Sequence, residues 1–224
     1  MGAPSFDLSR PSRRESDARS RYLAYRRTAN ELMSQVMKRA LPRDGLIRAG
    51  KALGMVERTI FIFESEEDMA ILSDFALHDV RTRGKTAIER YRETAETISP
   101  VEEKILDAHA AAATSLFRVT ATNPAEDTLT LEDLLQPSRT VRLTDIQLSH
   151  SATPNMLIFT RCVTFEEITS TSGVAFVFPD YRDKQLVADY LRERRRVKAG
   201  QEGRQRFEHF YRAHRLFGNP IRYQ

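Results

Sequence analysis

At Leu116 the apolar residues stop recurring every three to four positions and begin to recur every second one. That switch constrains the fold more than any other feature of the chain, because a 3.6-residue period buries one stripe of a helix and a period of two buries one face of a strand. Before Leu116 the pattern is helical. From Leu116 to Phe178 it is strand-like, and from about residue 181 it is helical again. The order reads as an α+β architecture: a helical N-terminal half, a five-stranded antiparallel barrel-like sheet, and C-terminal helices that pack back across it or project. With 41% hydrophobic residues in a length of 224, the chain can bury a core without covalent or metal staples. The switch also sets the organisation: a basic arm over 1–14, a helical region with one short strand over 15–115, the strand unit over 116–180, and basic helices over 181–224.

In the helical region, Tyr22, Tyr25, Ala29, Leu32 and Val36 lie on one stripe. This helix is expected to end near Leu41, since a proline at 42 disfavours helical backbone in the residue before it. Asp44 reads as the N-cap of a shorter helix that ends near Gly54, and Thr59–Phe63, β-branched and aromatic, reads as a strand. Ser65, followed by Glu66, Glu67 and Asp68, reads as the cap of the next helix, with carboxylates at the positive end of its dipole. Gly84 separates this from a helix over 85–97. Ser99-Pro100-Val101-Glu102 then has the form of a capping box with proline at the first helical position.

Five strand-like runs follow, Leu116–Thr122, Thr128–Leu131, Val141–Leu148, Met156–Phe165 and Ser172–Phe178, parted by turn signals such as Asn123-Pro124 and Gln136-Pro137-Ser138. Short strands joined by short turns argue for an antiparallel sheet that curls into a small barrel. Leu131, Asp133, Leu134, Leu135, Asp145, Leu157 and Arg161 together give residues 116–178 a pattern that resembles a small-barrel module of uncharacterised bacterial proteins. Some proteins with that module carry a Cys-rich SEC-C zinc motif, and this chain departs from it in having Cys162 alone. The resemblance implies a small barrel and a bacterial, intracellular setting, and it implies no activity.

Charge is distributed unevenly. Residues 1–50 carry 11 basic and 5 acidic side chains, residues 51–180 carry 12 and 21, and residues 181–224 carry 12 and 5. Basic ends can meet an anionic polymer, fold back on the acidic middle, or meet the acidic middle of a second copy. The C-terminal part concentrates Arg192, Arg194, Arg195, Arg196, Lys198, Arg204, Arg206, Arg212 and Arg215 around a helical stripe of Phe207, Phe210, Tyr211, His214 and Phe217. Cations neutralise phosphates and rings stack on unpaired bases, but the same stripe is where a core-facing side would lie. Of the 35 basic residues 29 are arginine, a skew along the whole chain that weakens the meaning of any single one.

Candidate chemistry is sparse. Cys162, on a strand, reads as a buried structural thiol. Ser170-Thr171-Ser172-Gly173 lacks the first glycine of a nucleophile elbow and leads into a strand. Gly84-Lys85-Thr86 resembles the tail of a phosphate-binding loop, but Asp79 stands where the first glycine belongs. Asp74 with His78, and Glu103 with Asp107, share helix faces at a spacing of four, an arrangement that could hold a metal from two helices but is common on charged helical surfaces. His109, His150 and His209 have no partner at a useful spacing.

These observations lead to a non-enzymatic binding protein without metal or cofactor. It engages nucleic acid, RNA favoured, through its basic terminal segments, with Arg118 and Arg161 as contacts on the barrel. The alternative is a protein-interaction or scaffold subunit whose basic termini contact acidic protein surfaces, of its own kind or another. No apolar run approaches the roughly 20 residues of a membrane span and no signal-peptide pattern opens the chain, so a cytoplasmic protein without a membrane partner is expected.

Overall fold

The computed structural model describes residues 13–195 and 197–218, with side chains from Asp17 onward. The expected N-terminal arm lies mostly outside the described residues, and Arg13 and Arg14 already belong to the first helix, α1 (Arg13–Ala40). Its stripe of Tyr22, Tyr25, Ala29, Leu32 and Val36 is buried throughout, as the spacing predicts. Pro42 ends it, and α2 (Arg43–Ala52) follows at once, with Asp44 in its first turn and not at its cap. Thr59–Phe63 contributes only β2 (Ile60–Phe61), the second arm of a hairpin with β1 (Val56–Glu57). This hairpin rests on Gly50 of α2, where a Cβ would stand 2.4 Å from Val56 Cγ2, so only glycine lets the two elements come so close.

The helix α3 (Asp68–His78) is not capped by Ser65. Asp68 reaches back instead: its carboxylate accepts the amides of Glu64 and Ser65 at 2.6 and 3.2 Å and the Ser65 hydroxyl at 3.0 Å. With Asp68 folded back on these amides, the helix starts at Asp68, two residues later than a cap at Ser65 gives. Thr86 and Glu89 form a complete capping box on α4 (Ala87–Thr94), and Ser99 and Glu102 form the expected one on α5 (Pro100–Ala111).

The sheet consists of β3 (Ala113–Asn123), β4 (Thr128–Asp133), β5 (Thr140–Thr144), β6 (Leu157–Phe165) and β7 (Ile168–Phe178), all antiparallel, in the order β5-β4-β3-β6-β7. Bulges at Val119/Ala121 and Thr160/Cys162 increase its twist and bring β5 and β7 near each other, but no ladder joins them. The sheet is therefore curled and open, and not closed into a barrel. The run Val141–Leu148 divides, because the Asp145 side chain accepts the Leu148 amide and starts a short helix, α6 (Ile146–Ser151), which sits against β3 and β4.

Two further helices complete the chain, α7 (Asp183–Arg194) and α8 (Glu202–Phe217). They pack back across the sheet. Phe210 stacks on Phe159 of β6 at 4.5 Å, and Phe207 lies 5.0 Å from Phe75 of α3 and 5.6 Å from Phe176 of β7. One buried cluster thus draws side chains from α2, α3, the sheet, α7 and α8, so the change of period near residue 115 does not separate two cores. A second cluster joins α1 to α4, α5 and Val163, and a third fills the opposite face of the sheet beneath α6.

Phe210 is fully buried and touches Phe159, Phe178 and Tyr190. Phe210→Ala is expected to cost about 3–5 kcal/mol in urea denaturation at unchanged slope, whereas Leu216→Ala on the exposed side of the same helix should stay within about 0.5 kcal/mol. Equal costs would remove α8 from the core.

Candidate functional site

The structure disperses the basic C-terminal set. Arg192 pairs with Asp189, Arg204 with Glu208 and Arg212 with Glu193, each at 2.7 Å, and Arg215 pairs with Glu64 of the segment before α3. Arg206 turns inward, its Nε donating to the Tyr190 hydroxyl at 3.0 Å and its NH1 to the Thr114 carbonyl. Arg196 lies outside the described residues. Arg194, Arg195 and Lys198 stay exposed at the turn between α7 and α8 and form no ion pair with a described residue. Most of the aromatic stripe beside them is core: Phe207, Phe210 and Tyr211 are buried, whereas Phe217 stays exposed with Arg182 over its ring. Arg118 is shared between Asp183 and Glu132.

Arg161 corrects the expectation most sharply. A contact for nucleic acid must be accessible, and its side chain is 3% exposed. It stands mid-strand in β6 and reaches two carboxylates of α3 and the residue after it: Asp74, 3.1 Å from Nε, and Asp79, against NH2. Burial alone would raise the pKa of Asp74, but Arg161 and His78 outweigh it and the net shift is downward. For Asp79 burial prevails over Arg161 and the shift is upward.

The imidazoles continue this cluster. His78 Nδ1 lies 2.8 Å from the Asp74 carbonyl oxygen, and its Nε2 lies 3.1 Å from Nδ1 of His109 on α5. A carbonyl only accepts, so His78 carries its proton on Nδ1 and its Nε2 must accept from His109 Nδ1–H. His109 Nε2 is then left as a bare lone pair, buried and without a hydrogen-bond partner. Burial, reinforced by His78, pushes the His109 pKa down to about 3, and burial with Arg161 lowers that of His78. Both rings are neutral near pH 7.

The two histidines and Asp74 line an open cleft of about 380 Å³ between α1, α3 and β7. Exposed Asn30, Ser34 and Ala70 edge its mouth, and Met33, Met37 and Leu77 supply apolar wall. Half-buried Arg26 lines it as well, with NH1 donating to the Thr171 carbonyl. Ser172 lines it too, its hydroxyl beside the Asp74 carboxylate.

A family model described as "Family of unknown function (DUF7986)" matches residues 16–224. The chain belongs to this family. No curated protein and no solved structure matches it. The DUF7986 match spans helices and sheet together and lends nothing to a separate small-barrel module over 116–178 or to a SEC-C relation.

The remaining candidates are structural in this DUF7986 chain. Glu103 and Asp107 both face Arg92 and do not join Asp74 and His78. Among the described residues no group of three or more His, Cys, Asp or Glu side chains is placed to hold a metal ion. Gly84 and Lys85 form a tight turn and Thr86 caps α4. Burial pushes the Cys162 thiol up to about 12, which keeps it protonated. Sequence reasoning missed His109 because 31 residues separate it from His78. The available signal was its place one turn beyond Ile105 and Leu106, on the apolar side of α5.

Neutral buried imidazoles tie stability to pH. Unfolded, they take protons below their ordinary pKa of 6.5, so the unfolded state gains protons first and stability falls as pH drops from 6.5 towards 3. His109 contributes up to about 1.4 kcal/mol per pH unit. Asp74 acts in the same sense below its ordinary range, and Asp79 in the opposite one. Urea denaturation between pH 7 and pH 4 should show this decline, and His109→Asn, which keeps a donor for His78, should flatten it. An unchanged slope in the variant would contradict the neutral His109.

Proposed function

We propose that the protein is a non-enzymatic binding protein and that the cleft between α1, α3 and β7 is its recognition site. The observation that carries this reading is the buried His109 Nε2 with no partner, on a residue that lines an open cleft. Leaving a buried acceptor unpaired costs about 1–3 kcal/mol, a cost that a ligand N–H or O–H removes. Binding is favoured over catalysis because an imidazole whose pKa is depressed to about 3 is a poor general base near neutral pH, and the single thiol is held protonated. A bacterial, cytoplasmic setting is the expectation carried by the resemblance of residues 116–178. Among the described residues no helix is long and apolar enough to cross a membrane.

Methyl-labelled methionine reports on this cleft. Titration with phenol, an uncharged ring bearing one O–H donor, is expected to shift the Met33 and Met37 methyl resonances and to leave Met55, Met69 and Met156 in place. Phenol that moves neither Met33 nor Met37 would remove the cleft as the binding site.

A second reading rests on Arg194, Arg195 and Lys198, exposed and without an ion pair among the described residues where their neighbours are paired. These cations fit an acidic surface on a protein partner. The burial of Phe207, Phe210 and Tyr211 removes most of the stacking platform that single-stranded RNA uses, which favours the protein over the nucleic acid. The triple variant Arg194→Ser, Arg195→Ser, Lys198→Ser should lose at least tenfold in affinity for poly-glutamate at 50 mM salt. Tighter binding to poly(U) than to poly-glutamate, with a log–log salt slope near −2 for three phosphate contacts, would decide for RNA. No effect of the variant on either polymer would end both readings.

A further inference from the structure

We infer that the occupant of the cleft is a small carboxylic acid that also carries a separate O–H or N–H donor. The inference rests on the cleft being the recognition site and adds which chemistry it selects. The donor is called for by His109. Its Nδ1–H is committed to His78, whose own Nδ1–H is committed to the Asp74 carbonyl, so the His109 Nε2 that remains presents a lone pair. A lone pair accepts from a donor and repels an anion, and a carboxylate cannot bind there.

The carboxylate is called for by Arg26. The cations before it on α1 whose side chains are described have acidic partners: Arg19 pairs with Asp127 at 3.5 Å, and Arg21 with Glu166 at 3.6 Å. Arg26 forms no ion pair among the described residues and gives NH1 only to the Thr171 carbonyl. Asp145, whose carboxylate meets the Thr171 hydroxyl at 3.4 Å, is committed to the cap of α6, where it accepts the Leu148 amide at 2.9 Å. A half-buried guanidinium with a free donor edge is the group that carboxylates prefer, through paired, charge-assisted hydrogen bonds. Met33, Met37 and Leu77 line the same cleft. Thioethers are polarisable and favour an aromatic ring, and a cleft of about 380 Å³ lies at the small end of the range for ligand sites. A single-ring acid with a hydroxyl apart from the carboxylate meets all three requirements.

The experiment compares 4-hydroxyphenylacetate with phenylacetate, which lacks the donor, and with 4-hydroxyphenylethanol, which lacks the carboxylate. Each is titrated into the full chain while the Met33 and Met37 methyls are followed. The hydroxy acid is expected to bind at least tenfold more tightly than either analogue. Arg26→Gln, at a half-buried position away from the packed clusters, should erase its advantage over the alcohol and keep its advantage over phenylacetate. His109→Phe should do the reverse, and His109→Asn provides a second test if the phenylalanine variant does not fold. Equal affinity for the acid and the alcohol overturns the assignment of Arg26, and equal affinity for the acid and phenylacetate overturns that of His109. If phenol and the alcohol shift the two methyls but the acid binds no better, the ligand class fails and the cleft stands. If none of the compounds shifts them, the cleft itself fails.

Discussion

Arg161 holds the molecule in register. A guanidinium placed in the middle of β6, on a face otherwise made of Leu157, Phe159 and Val163, cannot be left without a counter-charge, because a buried unpaired ion costs several kcal/mol. Asp74 and Asp79 supply the counter-charge from α3 and its C-terminal end. Removing either kind of partner strands the other, so α3 has one acceptable position over the sheet. That position sets the rest in turn. With Asp74 in place its backbone carbonyl fixes the His78 tautomer, His78 fixes that of His109, and the cleft acquires an acceptor at its floor. A cluster of this kind adds little net stability over a well-packed apolar substitute. Its effect is to couple the geometry of the sheet to the chemistry of a site two elements away.

How much of this could be read from the chain depended on distance along it. Features set within a few residues were legible: the α1 stripe, the Ser99–Glu102 capping box, the stop at Pro42, and four of the five strands to within a few residues. Local competition produced the errors. Asp68 took up the Glu64 and Ser65 amides ahead of α3, and Asp145 converted the tail of the Val141–Leu148 run into α6. β7 starts at Ile168, ahead of the expected Ser172, because its pairing with β6 continues through Thr164↔Thr169 and Phe165↔Ile168, and Thr169, Ser170 and Thr171 offer no alternation to betray a strand. Closure of the sheet was beyond sequence reasoning, since it depends on whether two edges separated by β3, β4 and β6 find each other. The candidate site was legible only in part. The spacing of Asp74 and His78 was visible, as was a charge in the apolar register of β6, but their union required contacts across 87 residues.

The uneven charge along the chain has a similar explanation. Basic ends and an acidic middle meet in part inside one molecule: Arg19 reaches Asp127, Arg21 reaches Glu166, and Arg215 reaches Glu64. Each of these exposed pairs contributes at most about 1 kcal/mol, so they do not hold the fold together. They do determine which cations are left over. Counted by segment, the C-terminal part looks like a polyanion-binding tail. In three dimensions it is a helix whose aromatic side is mostly core and whose arginines mostly face carboxylates, with one short turn of positive charge unpaired among the described residues.

The return of α8 over the sheet has an evolutionary consequence. The shift from helical to strand patterning looks like a seam at which a genome could cut and splice, and the strands taken alone look like a portable unit. Yet Phe207 touches Phe75 from the far side of that seam and Phe159 from within the strands. A gene fragment ending at either border would leave a greasy trough uncovered, prone to clumping rather than folding. Recombination is therefore expected to inherit these elements together or not at all.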